Sequence, residues 1–359
     1  MKKIAYIEID THAEIAHAFM EIMEGLRSFS VDYYFSEKIK NQVDDHNVQV
    51  FLSGSSMILD QLKEKNYDLV IIGTVHRYFN IFDVIAAKYH TAVIVHNMNF
   101  TGASQMELIK SIFKKDRIYR LKLLGKEGLL RSPEVYRKAK HKLVLDEQLS
   151  SDGFRFLPLF YTRQADQPDN KVFTIVIPGG VSQKRRDYKK VISTIKTIEE
   201  LIKDSVIDKK LLEFVFLGKA KNKELKNIID LERSLQHINI MYFSERVSPS
   251  AFNEWMRKAD VLWCPIQQET EFFSQREIYG KTKMTGNLGD AIKFGKWAVF
   301  PQSYPSKLDF IIPEEEDVIN QFDRLKDTPY DFQKDYSKPM VQRKLEKILN
   351  EMITSNNAV

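Results

Sequence analysis

Short runs of valine, isoleucine, leucine and phenylalanine recur along the chain. Between them, apolar residues return every three or four positions. The runs predict strands at Ile4–Ile9, Asp68–Gly73, Ala92–His96, Lys142–Leu145, Phe173–Ile177, Glu213–Leu217, Ile238–Phe243, Asp260–Cys264 and Trp297–Phe300. Several are apolar almost without interruption, the pattern of strands covered on both faces by helices in a parallel sheet. The intervening segments read as helices. In Lys189–Lys203, the residues Val191, Ile195, Ile198 and Ile202 fall on one stripe. This alternation predicts doubly wound α/β lobes.

A polar, proline-bearing stretch from Arg163 to Asn170 divides the runs, four before it and five after. The expected domains are an N-terminal Rossmann-like lobe over 1–163 and a C-terminal Rossmann-like lobe over 171–330. A helical tail over 331–359 follows, with Leu345, Ile348 and Met352 on one face, and is expected to pack back on the N-terminal lobe.

Composition narrows the picture modestly. Hydrophobic residues make up 43% and charged residues 29%, as in ordinary globular proteins. A net charge of +5 is too mild to imply a nucleic-acid partner, and none is expected. The single cysteine, Cys264, lies in an apolar run and reads as a small buried hydrophobe; a reducing compartment fits best. Glu8 and Asp10 interrupt the first apolar stretch too early for a signal peptide, and no run approaches the ~20 apolar residues of a membrane helix. A cytoplasmic protein is expected, either free or peripheral on the inner face of the plasma membrane. One region departs from the average. Lys114 to Lys142 holds eleven Lys or Arg against three acids, interleaved with Ile118, Tyr119, Leu121, Leu123 and Leu124. It reads as a solvated basic face, with a membrane-surface contact and a nucleic-acid contact as the alternatives.

Chemistry is sought in the loops that follow strands. After Phe173–Ile177 come Gly179 and Gly180, then Lys184, Arg185 and Arg186 before a helix. Glycines permit close backbone approach, and a helix N-terminus with fixed cations suits phosphate. The spacing is not that of a Walker A loop. A second segment, Glu277 to Gly295, offers Lys281, Thr282, Lys283, Thr285 and Gly286, with Asp290 inside a helix where its carboxylate can accept from ribose hydroxyls. His76 and His96 stand at strand ends and His12 follows the first strand, with no metal-site spacing among them. Strand-end placement makes them candidates for acid/base work.

Together these pieces resemble the GT-B glycosyltransferases, two Rossmann-like doubly wound lobes facing across a cleft, and most of all the large retaining family with the E-x7-E signature. Where that family has G-R-x4-K, this chain has Gly179, Gly180 in the arginine's place, and Arg185 in the lysine's. Glu245 and Arg246 fall in the segment that contacts the base, and Asp290 in the place of the ribose-binding glutamate. Eight positions before Asp290 stands Thr282, while Glu277 carries the local pattern of the first glutamate. The resemblance implies transfer of a sugar from a UDP- or GDP-linked donor to a glycan or lipid-linked acceptor in envelope polysaccharide or lipopolysaccharide assembly. It implies no cofactor or metal, and His96, His12 and Glu277 as catalytic candidates. The alternatives are a nucleotide-sugar epimerase of the same fold and a non-catalytic partner subunit.

Overall fold

The computed structural model describes residues 1–43, 48–113, 116–163, 172–204 and 211–355. The chain divides into two compact units. One comprises Met1–Phe160, Glu271–Met284 and Lys338–Val359; the other comprises Tyr161–Thr270 and Thr285–Ser337. Most of the stretch read from sequence as the boundary, 164–170, lies outside the described residues.

The first unit is built on a seven-stranded sheet of β1 (Lys2–Glu8), β2 (Phe29–Phe35), β3 (Val50–Leu52), β4 (Leu69–Ile72), β5 (Thr91–Ile94), β6 (His141–Val144) and β7 (Arg155–Phe156). Their order is β3-β2-β1-β4-β5-β6-β7 and every pair is parallel. β1 and β4 lie in the middle, with Ile4 opposite Leu69 and Ile7 opposite Ile72. Both are buried on both faces, which is why they read as continuous apolar runs. β2 escapes that reading because Ser30 and Asp32 interrupt its apolar residues, and only Tyr33–Phe35 and Phe29 are buried.

The helix Ala13–Met23 buries Ile15, Ala16, Phe19, Ile22 and Met23, a stripe at helical spacing. Phe19 stacks on Tyr6 of β1 with ring centroids 4.6 Å apart. The C-terminal helix Lys338–Thr354 belongs to this unit, burying Val341, Leu345, Leu349 and Met352. Leu349, rather than the Ile348 expected from sequence, completes its buried face. Gln342 fastens it by donating to the carbonyls of Ile22 (3.0 Å) and Glu24 (2.8 Å).

The second unit carries a six-stranded parallel sheet of β8 (Phe173–Pro178), β9 (Leu212–Lys219), β10 (Ile238–Phe243), β11 (Val261–Trp263), β14 (Ala298–Phe300) and β15 (Ile311–Pro313), in the order β10-β9-β8-β11-β14-β15. β12 (Glu269–Phe272) and β13 (Gln275–Ile278) form a two-stranded ribbon of their own, and all but its first two residues belong to the first unit. The helix Tyr188–Lys203 buries Val191, Ile195, Ile198 and Ile202, the stripe read from its spacing. Each such side chain contributes roughly 1.5–3 kcal/mol when fully removed from water. Asp187 caps the helix by accepting the Lys190 amide at 3.2 Å. Cys264 is buried and its thiol is pushed up by burial, as expected of a packing residue. The fold class is therefore α/β with two parallel sheets.

Candidate functional site

In open parallel sheets, ligands collect beyond the carboxyl ends of the strands where the strand order reverses. That point lies between β8 and β11 in the second unit and between β1 and β4 in the first.

In the second unit the loop after β8 turns on Gly179, whose φ of +102° lies in the region that favours glycine. A Cβ there would sit 2.2 Å from Arg186 Nη2. On the other side, a Cβ on Gly218 of β9 would sit 2.4 Å from the Gly179 carbonyl oxygen. Two glycines thus let strand, loop and guanidinium close on one another. The next turn is short: the amides of Arg185 and Arg186 both donate to the Ser182 carbonyl. It leaves Lys184 and Arg185 exposed and turns Arg186 inward. Arg186 Nη2 donates to Asn287 Oδ1 at 3.0 Å and Nη1 to the Gly180 carbonyl at 3.4 Å. Its Nε is buried with no partner among the described residues.

Asn287 is buried near the start of the helix Gly286–Phe294, which Thr285 caps. Its Nδ2 donates to the Pro178 carbonyl at 3.1 Å and lies 3.5 Å from Asp290 Oδ2, one turn on. The loop after β11 is tied in as well, because Gln267 donates its amide to the Arg185 carbonyl and Asp187 to the Pro265 carbonyl. A cation, a glycine loop and a helix N-terminus therefore meet at one strand end, an arrangement suited to phosphate. Of the residues named from sequence, Gly179, Gly180, Thr285, Gly286 and Asp290 are brought together here. Glu245 is exposed after β10, paired with Lys219 at 2.7 Å, and Arg246 is exposed beside it. Arg186 and Asn287 form the joint between the two segments. From sequence, Arg186 stands only as one of three consecutive cations before a helix, and Asn287 carries no signal of its own.

Glu277, Lys281, Thr282 and Lys283 belong to the first unit, not to the lobe expected from sequence. Glu277 is buried and accepts the amides of Phe100 (3.0 Å) and Asn99 (3.4 Å), so it anchors the turn after β5. Burial raises its pKa. Thr282 Oγ1 accepts the Ile278 amide at 2.8 Å, and Lys281 is exposed. Lys283 Nζ donates to Asn97 Oδ1, and Asn97 Nδ2 lies 3.2 Å from His76 Nε2. Because the ammonium only donates, Asn97 must turn its oxygen to Lys283 and its amide nitrogen to His76.

His12, His76 and His96, from the ends of β1, β4 and β5, cluster at the switch point of the first sheet. The rings of His12 and His96 stack at 4.0 Å, nearly parallel, and His76 meets each edge-on at 5.6 and 5.7 Å. His12 adopts φ 62°, a left-handed conformation that a side-chain-bearing residue holds at a cost of roughly 1–2 kcal/mol. Such strain gathers at functional sites. Joined to this cluster through Thr74 is Glu8, the last residue of β1, a buried acid not among the site residues expected from sequence. Its Oε2 accepts the Thr74 hydroxyl at 2.6 Å, and its Oε1 accepts the amides of Asp10 and Thr11 at 3.2 Å. Thr74 Oγ1 lies 3.5 Å from His96 Nε2, which is 2.9 Å from the Gly73 carbonyl. That carbonyl fixes the His96 proton on Nε2 and leaves Nδ1 as the acceptor. A Cβ on Gly73 would meet Glu8 Oε2 at 2.7 Å and Tyr6 Oη at 2.9 Å, so a larger residue there would displace the buried acid or the tyrosine.

Burial pushes the Glu8 carboxyl up to about 7, against lowering by the Thr74 hydrogen bond and by His12. Burial, with His12 and Lys283 nearby, holds His76 and His96 well below the ordinary imidazole range, so both are neutral at pH 7. Among the described residues, no group of three or more His, Cys, Asp or Glu is placed to hold a metal ion.

No protein-family model and no curated protein sequence matches the chain. Solved structures match over its whole length. HepE from Anabaena in complex with UDP superposes with a TM-score of 0.61 at 11% identity, covering 98% of this chain and 100% of that one. The UDP-GlcNAc 2-epimerase from Neisseria meningitidis bound to UDP-GlcNAc gives 0.53 at 12%, covering 98% and 100%. The lipopolysaccharide outer core galactosyltransferase WaaB gives 0.50 at 11%, covering 99% of each. At these identities the likeness is one of fold, and the fold is GT-B.

Proposed function

We propose that this chain is a glycosyltransferase that takes a sugar from a UDP- or GDP-linked donor and passes it to a glycan or lipid-linked acceptor in envelope polysaccharide or lipopolysaccharide assembly. The observation that carries the reading is Arg186, held between Gly180 and Asn287 where a glycine loop meets the N-terminus of the helix Gly286–Phe294. A nucleoside diphosphate bound to the second unit would set its phosphates against Arg186 and the amides of Gly180 and Gly286, with its ribose toward Asp290. Lys184 and Arg185, exposed at the rim, would add mobile positive charge.

As the bond between anomeric carbon and phosphate oxygen breaks, negative charge grows on the diphosphate. Preorganised donors act most strongly on charge that develops in the transition state. The acceptor hydroxyl forms the new bond to that carbon and loses its proton. In the first unit, neutral His96 with Nδ1 as acceptor and His12 stacked on it are the groups proposed to receive that proton. Glu8 and Thr74 set their positions. Glu277 is not retained as a catalytic group in this reading, because both its oxygens accept backbone amides.

The epimerases among the similar structures support a second reading, in which the nucleotide sugar is rearranged without an acceptor. The purified chain, incubated with a panel of UDP- and GDP-sugars, separates the two. Release of nucleoside diphosphate only when an acceptor glycan is added supports transfer. An epimerised sugar formed with no acceptor present would establish the second reading instead.

A further inference from the structure

Of the eleven large apolar side chains left exposed among the described residues, six fall in one short stretch of the chain, Met106, Ile109, Phe113, Ile118, Tyr119 and Leu121, while Met1, Leu52, Met57, Leu211 and Met241 are scattered elsewhere. They belong to the helices Gln105–Ile112 and Arg117–Lys126 and the residue that ends the first. Each helix has two apolar sides. In the first, Leu108, Ser111 and Ile112 are buried, while Met106, Ile109 and Phe113, at i, i+3 and i+7, lie on the opposite face. In the second, Leu123 is the buried residue, while Ile118 and Leu121 lie on the far side; Ile118 is 87% exposed and Phe113 is 70%. Arg120 ties the helices together by donating to the Ser111 carbonyl at 2.6 Å. The apolar faces are bordered by exposed cations, Lys110 on the first helix and Arg117, Lys122 and Lys126 on the second. The exposed acids in these segments are Glu107, engaged in the capping box with Ser104, and Asp116.

An ordinary surface helix turns polar residues to water, and an exposed apolar patch of this kind marks an interaction face. A second copy would bring the same cations against each other, which opposes self-association. A polyanion such as nucleic acid has no use for Met106, Phe113 and Ile118. Apolar side chains flanked by Lys and Arg suit the boundary between headgroups and acyl chains of an anionic bilayer. We infer that this pair of helices lays Met106, Ile109, Phe113, Ile118 and Leu121 into the surface of an anionic lipid membrane, with Lys110, Arg117, Lys122 and Lys126 on its headgroups. The basic stretch beyond Lys126 is not part of this face, since Leu129, Val135 and Tyr136 pack into the core. The inference goes beyond donor binding and stands whether or not that reading holds.

The test is flotation of the full chain with vesicles of phosphatidylcholine alone and with about 30 mol% phosphatidylglycerol, at low and high salt. Binding to the anionic vesicles is expected, weakened by salt. The variant Phe113→Ser/Ile118→Ser/Leu121→Ser should lose at least about tenfold in vesicle affinity with an unchanged melting temperature, because these side chains touch water. Lys110→Gln/Arg117→Gln/Lys122→Gln should lose both binding and salt dependence. Absence of the wild-type chain from the anionic vesicle fraction, or equal binding by the triple-serine variant, overturns the inference. A wild-type dimer in light scattering that the serine variant converts to monomer overturns it in favour of a second copy.

Discussion

Arg186 Nη2 donates to Asn287 Oδ1 at 3.0 Å, and Asn287 Nδ2 in turn donates to the carbonyl of Pro178. One asparagine thus joins the end of β8, the cation of the following loop and the start of the helix Gly286–Phe294. If phosphates bind there, Arg186→Ala should weaken nucleoside diphosphate binding by about tenfold or more, the scale of a charge-assisted hydrogen bond. Arg185→Ala, on an exposed side chain, should cost no more than about threefold. Parallel calorimetric titrations of the two variants check the contrast; equal losses would place Arg185, not Arg186, on the phosphates.

The two loop glycines differ in what they tolerate. Gly179 has positive φ and no room for a Cβ, whereas the space around Gly180 is open. Gly179→Ala should lower stability by about 1–3 kcal/mol and displace Arg186. Gly180→Ala should leave stability within about 0.5 kcal/mol. Thermal or urea unfolding of both variants decides this.

Glu8 offers a pH signature. Its carboxyl titrates near 7 when folded and near 4.5 when unfolded, so the folded state favours the protonated form. Its contribution is therefore fully present below about pH 4.5, falls as the pH rises toward 7, and levels off above, a loss of about 3 kcal/mol at most. His76 and His96, held neutral, act oppositely and lower stability as the pH falls below the ordinary imidazole range. The difference between wild type and Glu8→Gln isolates the acid. The variant should gain stability relative to wild type between pH 5 and 8, and a difference flat across that range would contradict the assignment.

His12 and His96 are proposed to act on the acceptor. Replacing either with alanine should lower turnover by about 10²-fold or more while donor affinity changes less than about threefold. Measuring kcat and donor Kd separately distinguishes this from a general loss of structure.

The legibility of this chain differed between sheet and site. Strands buried on both faces announce themselves, as β4 and β8 do, because every position is buried and all but Thr174 are apolar. β2 does not, since Ser30 and Asp32 break its run. The glycine loop after β8 was readable because glycine pairs before cations are chemically distinctive. Which cation turns inward was not, because the turn at Ser182 decides it. The segment Glu277–Lys283 reads as part of the second lobe by position. Its packing says otherwise, with Phe272 and Phe273 set among Phe79 and Phe100. Such an insertion is a tertiary event that a linear pattern does not encode. Glu8 was visible only as a charge ending an apolar strand; that it bears on Thr74, sixty-six positions away, is a consequence of β1 and β4 being neighbours.

The central claim is that the second unit holds a nucleoside diphosphate through Arg186 and the loop at Gly179–Gly180. Calorimetric titration of the purified chain with UDP, GDP and their sugars tests it most directly, with Arg186→Ala as the control. The account predicts saturable binding of at least one nucleotide at micromolar to sub-millimolar Kd, lost or weakened about tenfold in the variant. No binding of any of them at about 1 mM ligand, or binding that the variant leaves untouched, would contradict it.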